Sequence, residues 1–147
     1  MKRIKICILS FLLMAAFLTG CGDQTDLQDG YYTAQAADFS HGWKEYITIM
    51  VKGGSIVSVE YNAENPSGFI KSWDNAYMQT MLHSNGTYPN EYTRYYASQL
   101  LEDQGADSID AINGASSSHV SFQILAAAVL EQARQGDSSI VVVDTSH

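Results

Sequence analysis

The stretch Trp43-Lys44-Glu45-Tyr46-Ile47-Thr48-Ile49-Met50-Val51, followed by Lys52-Gly53-Gly54 and then by Ser55-Ile56-Val57-Ser58-Val59-Glu60-Tyr61, decides the fold class. Ile47, Ile49 and Val51 alternate onto one side, the period-2 pattern of a strand with a core face. Lys52-Gly53-Gly54 supplies the positive φ of a tight hairpin turn and is too short for a parallel crossover. The β-branched run after it therefore returns antiparallel, giving strands over about 43–51 and 55–61. Upstream, Gly30-Tyr31-Tyr32-Thr33-Ala34-Gln35-Ala36 reads as a first strand, with a turn over Asp38 to Gly42. Downstream, Asn62 to Gly68 contains Pro66 and Gly68 and ends the meander. Ile70, Trp73, Tyr77 and Met81 then recur at steps of three and four, which predicts a helix over about 69–82 with Trp73 and Tyr77 packed inward. Asn85-Gly86-Thr87 spells a glycosylation sequon but reads as the turn before a helix over about 90–102, whose stripe is Tyr92, Tyr96 and Leu100. Phe122, Leu125, Val129 and Ala133 mark a third helix over about 118–135, with Gly136 placed to end it. Ile140 to Val143 is a short terminal strand. The order β-β-β-α-α-α-β predicts an α+β domain, a small antiparallel sheet with helices on one face.

At the start of the chain, Lys2, Arg3 and Lys5 precede an apolar run from Ile6 to Leu18 and then Leu18-Thr19-Gly20-Cys21. The run is too short and wrongly flanked for a permanent spanning helix. It resembles a bacterial lipoprotein signal, which implies cleavage after Gly20 and diacylation of Cys21. The boundaries that follow are a signal over 1–20, a polar tether over 21–28 and one domain over 29–147. The expected location is the cell membrane, lipid-anchored on the extracytoplasmic side, with Cys21 held by membrane lipid.

With the signal gone, five Lys/Arg remain against 16 Asp/Glu, a formal charge of −11. That excludes nucleic acid as a partner and excludes docking through a basic patch. It leaves room for a phosphate-bearing ligand, because the backbone N–H groups at a helix start bind phosphate without a lysine. Cys7 leaves with the signal and Cys21 would carry lipid, so no thiol remains for a disulfide, a thiolate metal site or a nucleophile. His41, His83, His119 and His147 show no ligand spacing, and no metal or catalytic residue is assigned.

Asp110-Ala111-Ile112-Asn113-Gly114-Ala115-Ser116-Ser117-Ser118 directly precedes the last long helix. Gly114-Ala115 allows close backbone approach, and three hydroxyls arrive where a helix opens. Two readings fit: a Ser-rich cap after a Gly turn, or a phosphate site at the positive end of the helix dipole. His119, one turn past Ser116, is either within reach of such a ligand or exposed beside the cap. Met78 and Met81 either fill core or line a ring, and the two tryptophans and nine tyrosines either pack or offer a stacking or sugar-binding surface.

The same stretch is similar to the Asp-x-x-Ser/Thr-Gly-Ala-Thr/Ser motif of the FMN-binding domain family. That family includes peripheral subunits of sodium-pumping quinone reductases and Rnf-type complexes, and flavin-bearing surface lipoproteins. Asp29-Gly30-Tyr31-Tyr32, Gly42-Trp43-Lys44, Val51 to Val59 and Ala126-Ala127-Ala128 extend the likeness over roughly residues 28–136. The resemblance implies FMN as cofactor, its phosphate esterified to Ser116 by a separate flavin transferase, with Asp110 as the motif's leading acid. Asn113, Gly114, Ala115 and Ser117 complete the expected binding segment, and Ser117 and Ser118 are acceptors if the helix register differs. Asn113 stands where the family usually has Ser or Thr, and Ser116 where covalently modified members usually have Thr; serine forms the same ester. The implied role is electron transfer between membrane and extracytoplasmic redox partners. The alternatives are reversible FMN binding, a flavin-dependent reductase acting on a small substrate, and a cofactor-free surface lipoprotein serving as an interaction or solute-binding module.

Overall fold

The computed structural model describes residues 26–146. The signal expected over 1–20, Cys21 and His147 lie outside the described residues. Strand β1 is Gly30–Ala36, β2 is Lys44–Lys52 and β3 is Ser55–Glu64. Helices α1 (Asn75–Asn85), α2 (Pro89–Asp103) and α3 (Ser116–Gln135) follow, and β4 (Val141–Val143) closes the chain. The fold is α+β, and the sheet order is β3-β2-β1-β4.

The hairpin forms as expected, with Gly53 at φ 64° and Gly54 at φ 75°. That pair of positive φ values matches the right-handed twist of the flanking strands. A register shift at Met50/Val51 pairs Met50 with Ser58 but Val51 with Ile56. Val57 is thereby pushed outward to solvent while Ile56 stays in the core. Gln104, at φ 59°, accepts the Ile56 N–H at 2.7 Å and donates to its carbonyl at 3.0 Å, shielding the outer edge of β3. The sheet is antiparallel through β1, β2 and β3, and β4 joins β1 in parallel. A parallel neighbour is available here because α3 supplies the crossover that parallel strands require.

Ala34, Ile47 and Tyr61 lie in one cross-strand row, with Tyr32, Ile49 and Val59 in the next. They meet Tyr92, Tyr96 and Leu100 of α2 and Phe122, Leu125, Val129 and Ala133 of α3 in a single core. The stripes predicted for α2 and α3 are both buried. At the other end of α3, Gln28 donates its N–H to Ala133 and its side chain to Arg134, satisfying carbonyls of the last turn.

The first helix differs from its predicted bounds. Lys71–Trp73 forms a 3₁₀ turn, and α1 starts only after Asp74, whose carboxylate accepts the Tyr77 N–H at 2.9 Å. Asn62 donates to the Ser72 hydroxyl at 2.8 Å and pins that turn to the end of β3. Three residues per turn and a break at Asp74 put Trp73 off the predicted stripe. Trp73 is 68% exposed, which corrects its assignment to packing, and α1 buries none of its residues.

Candidate functional site

Ala115 N–H bonds the Ile112 carbonyl at 3.0 Å and closes a turn with Gly114 at φ 85°. A positive φ at the third residue of such a turn favours glycine. A Cβ at Gly114 would collide with the Asn85 carbonyl oxygen, so the end of α1 rests directly on this backbone. The Tyr96 hydroxyl accepts from Ile112 N–H at 3.0 Å and donates to the Ala115 carbonyl at 3.4 Å, holding the turn from inside the core. Helix α3 therefore opens at Ser116 with Ala115 at the N-cap, and a methyl group cannot cap. The N–H groups of Ser116, Ser117 and Ser118 are left without a side-chain acceptor.

This helix start lines a groove of about 790 Å³. Such a volume suits a small organic ligand. Tyr77, Met81 and Asn85 of α1, residues of the β1–β2 loop and residues 144–146 also line the groove. Trp43 meets Tyr77 edge-on at 5.7 Å, giving an aromatic corner. Ser118, Ser121, Glu45 and Lys71 also line the space. Lys71 is only 8% exposed, and its ammonium lies 5.3 Å from the Tyr77 ring and 6.0 Å from the Tyr92 ring. Burial pulls the Lys71 ammonium below the ordinary lysine range, partly countered by the Glu45 charge. Burial and then the Glu45 charge hold the Tyr61 phenol well above its ordinary range. Its hydroxyl lies 3.0 Å from Glu45 and 2.8 Å from the Ser118 carbonyl, so one proton serves two acceptors. The buried Tyr92 hydroxyl has no hydrogen-bond partner of good geometry.

Of the residues singled out in the sequence, Gly114, Ala115, Ser116, Ser117 and Ser118 line this groove. Asp110 and Asn113 are exposed on the preceding loop and are not among the lining residues. His119 turns away from the groove, its Nε2 2.7 Å from the Ile109 carbonyl and its ring against Tyr96. Met81 lines the groove and Met78 does not. Lys71 and Glu45 carried no signal in sequence, and Asn85 only that of a turn: a lone lysine after an apolar residue is indistinguishable from a solvated one until the turn that buries it is known. Among the described residues, no three His, Cys, Asp or Glu side chains converge on a common point. A second hollow, about 640 Å³ between β3 and α2, contains Arg94 and the exposed Trp73 but no helix start.

No family model matches the chain. The chain is 33% identical over 133 residues to the 15 kDa lipoprotein of Treponema pallidum (strain Nichols), covering 90% of this chain and 94% of that protein. That span exceeds what residues 26–147 supply, so the match reaches into the N-terminal segment. The crystal structure of a Clostridium perfringens protein superposes with a TM-score of 0.77 at 37% identity, covering 80% of this chain and 98% of the other. A solution structure from Clostridium thermocellum gives a TM-score of 0.50 at 29% identity, covering 73% and 92%.

Proposed function

The chain belongs to the family of the 15 kDa lipoprotein of Treponema pallidum, and from that premise we propose a lipid-anchored, extracytoplasmic FMN-binding protein that transfers electrons. Cys21 is the lipidated residue, and membrane lipid is its first partner. Support comes from the match to a lipoprotein, which extends into the basic and apolar segment ending at Cys21.

The observation that carries the cofactor reading is the open start of α3. Its free N–H groups and helix dipole suit a phosphate, and Ser116 presents an exposed hydroxyl at the same place. Trp43, Tyr77 and Met81 offer aromatic and polarisable surface in the same groove, as a planar ring requires. These residues fit FMN, whose flavin supplies the redox chemistry when bound. The protein's part is to hold the phosphate, flank the ring and keep the lipid-anchored domain within reach of membrane and extracytoplasmic redox partners.

Co-expression with a flavin transferase, followed by intact-mass and peptide mass spectrometry, tests this reading. The expected result is an added FMN-minus-water mass on Ser116, absent in Ser116→Ala. Flavin that copurifies but is lost on denaturation would replace the covalent ester with reversible binding. A folded domain that takes no flavin in either state would overturn the cofactor assignment.

A further inference from the structure

We propose that the Lys71 ammonium and the start of α3 together form one phosphate pocket, so that the groove selects phosphorylated over unphosphorylated ligands. The inference rests on the anion-binding part of the reading above and adds a side chain to a site otherwise built from backbone. A buried charge is ordinarily paired, because desolvation disfavours it strongly when it stands alone. Lys71 is nine-tenths buried, yet no ion pair involves it among the described residues, where the one salt bridge is Arg134 with Glu131. Glu45 is close enough to favour the charge but stands outside ion-pair distance, and its carboxylate is engaged by Tyr61. The other carboxylates lining the groove, Asp38 and Asp144, are exposed, and Asp144 accepts from Ser146 at 2.6 and 2.8 Å.

Lys71 and α3 are neighbours across one ring. The Lys71 ammonium lies over the Tyr92 ring, and the Tyr92 hydroxyl is beside the side chain of Ser118, the third residue of α3. A positive side chain with no counter-ion and a helix start with no cap thus line the same space. Each lacks an anion, and a phosphate carries enough charge and enough acceptor oxygens for both. In a mature chain of formal charge −11, such a local concentration of donors favours an anionic ligand that the rest of the surface would repel.

The test compares the flavin-free wild-type protein with Lys71→Met and Lys71→Arg, using inorganic phosphate, FMN and riboflavin as probes in calorimetry and thermal unfolding. Lys71→Met is expected to weaken phosphate and FMN by about tenfold or more and to leave riboflavin unchanged. Lys71→Arg should restore most of the loss. Without ligand, Lys71→Met should melt at or above the wild-type temperature, because an uncompensated buried charge has been removed. Equal phosphate and FMN affinity in Lys71→Met would overturn the proposal and leave FMN binding intact. Phosphate binding that depends on Lys71, in a protein that binds no flavin, would sustain the pocket and sink the flavin reading. If Lys71→Met does not fold, the side-chain NMR signal of Lys71 in the wild-type protein decides: a shift on adding phosphate supports the pocket, and no shift refutes it.

Discussion

Gly114 shows how much of this site hangs on single atoms. Its φ of 85° lies in the left-handed region, and the space beside its Cα is filled by the Asn85 carbonyl oxygen. Two penalties therefore meet in one substitution, backbone strain and a collision with backbone that cannot rotate away. Gly114→Ala should destabilise the domain by about 2 kcal/mol or more. Gly86 has a similar φ of 76° but open space around it, so Gly86→Ala should cost only about 1 kcal/mol. Urea denaturation of the two variants measures the difference, and flavin loading should fall in Gly114→Ala alone. Tyr96 acts on the same turn from the other side, its hydroxyl joining Ile112 and Ala115.

Among the elements, α1 and α3 are opposites. Helix α3 buries eight residues and crosses the sheet, whereas α1 buries none. Helix α1 is held by its Asp74 cap, by the left-handed Gly86 that ends it and by the meeting of Asn85 with Gly114. A helix with so little packing opens at low free energy. Its amides should exchange at least about tenfold faster than those of α3, measured by hydrogen exchange and mass spectrometry. Because Tyr77, Met81 and Asn85 line the groove, a bound ligand should slow α1 selectively. Equal protection of α1 and α3 without ligand would show that α1 is anchored by contacts other than these. The 3₁₀ turn before α1 carries Lys71, so the least packed helix adjoins the buried charge.

At the scale of the molecule, buried phenols set the alkaline limit of stability. Burial raises the Tyr61, Tyr92 and Tyr96 phenols above their ordinary range. Near pH 10 and above, the unfolded chain loses these protons while the folded chain keeps them, so stability present below about pH 10 falls as pH rises beyond it. Lys71 opposes this: its lowered pKa adds stability as pH climbs toward the ordinary lysine value, but one group acts against five phenols once Tyr46 and Tyr77, also raised by burial, are included. Chemical denaturation at pH 8, 10 and 11 should show the net fall, with the tyrosinate absorbance of the buried phenols appearing together with unfolding. The elements behind this core were legible in the sequence where local pattern and burial agree: Ile47, Ile49 and Val51 alternate, Phe122, Leu125, Val129 and Ala133 recur, and Gly53-Gly54 turns the chain. The segment Gly114 to Ser118 was legible too, because small residues and hydroxyls before an apolar stripe mark a helix start. Periodicity failed at Trp73, where a side-chain bond from Asn62 to Ser72, ten residues further along the chain, fixes a 3₁₀ turn. It was equally silent on the parallel pairing of β4, the turning of His119 toward Ile109 and the burial of Lys71. Outside the 3₁₀ turn at Lys71–Trp73, sequence alone determined which segments are strands, helices and turns, since those follow from spacing within a few residues. Which faces close on one another, and so which lone charge is shut away from water beside an uncapped helix, was decided only by the tertiary structure, because burial depends on distant segments that no local pattern records.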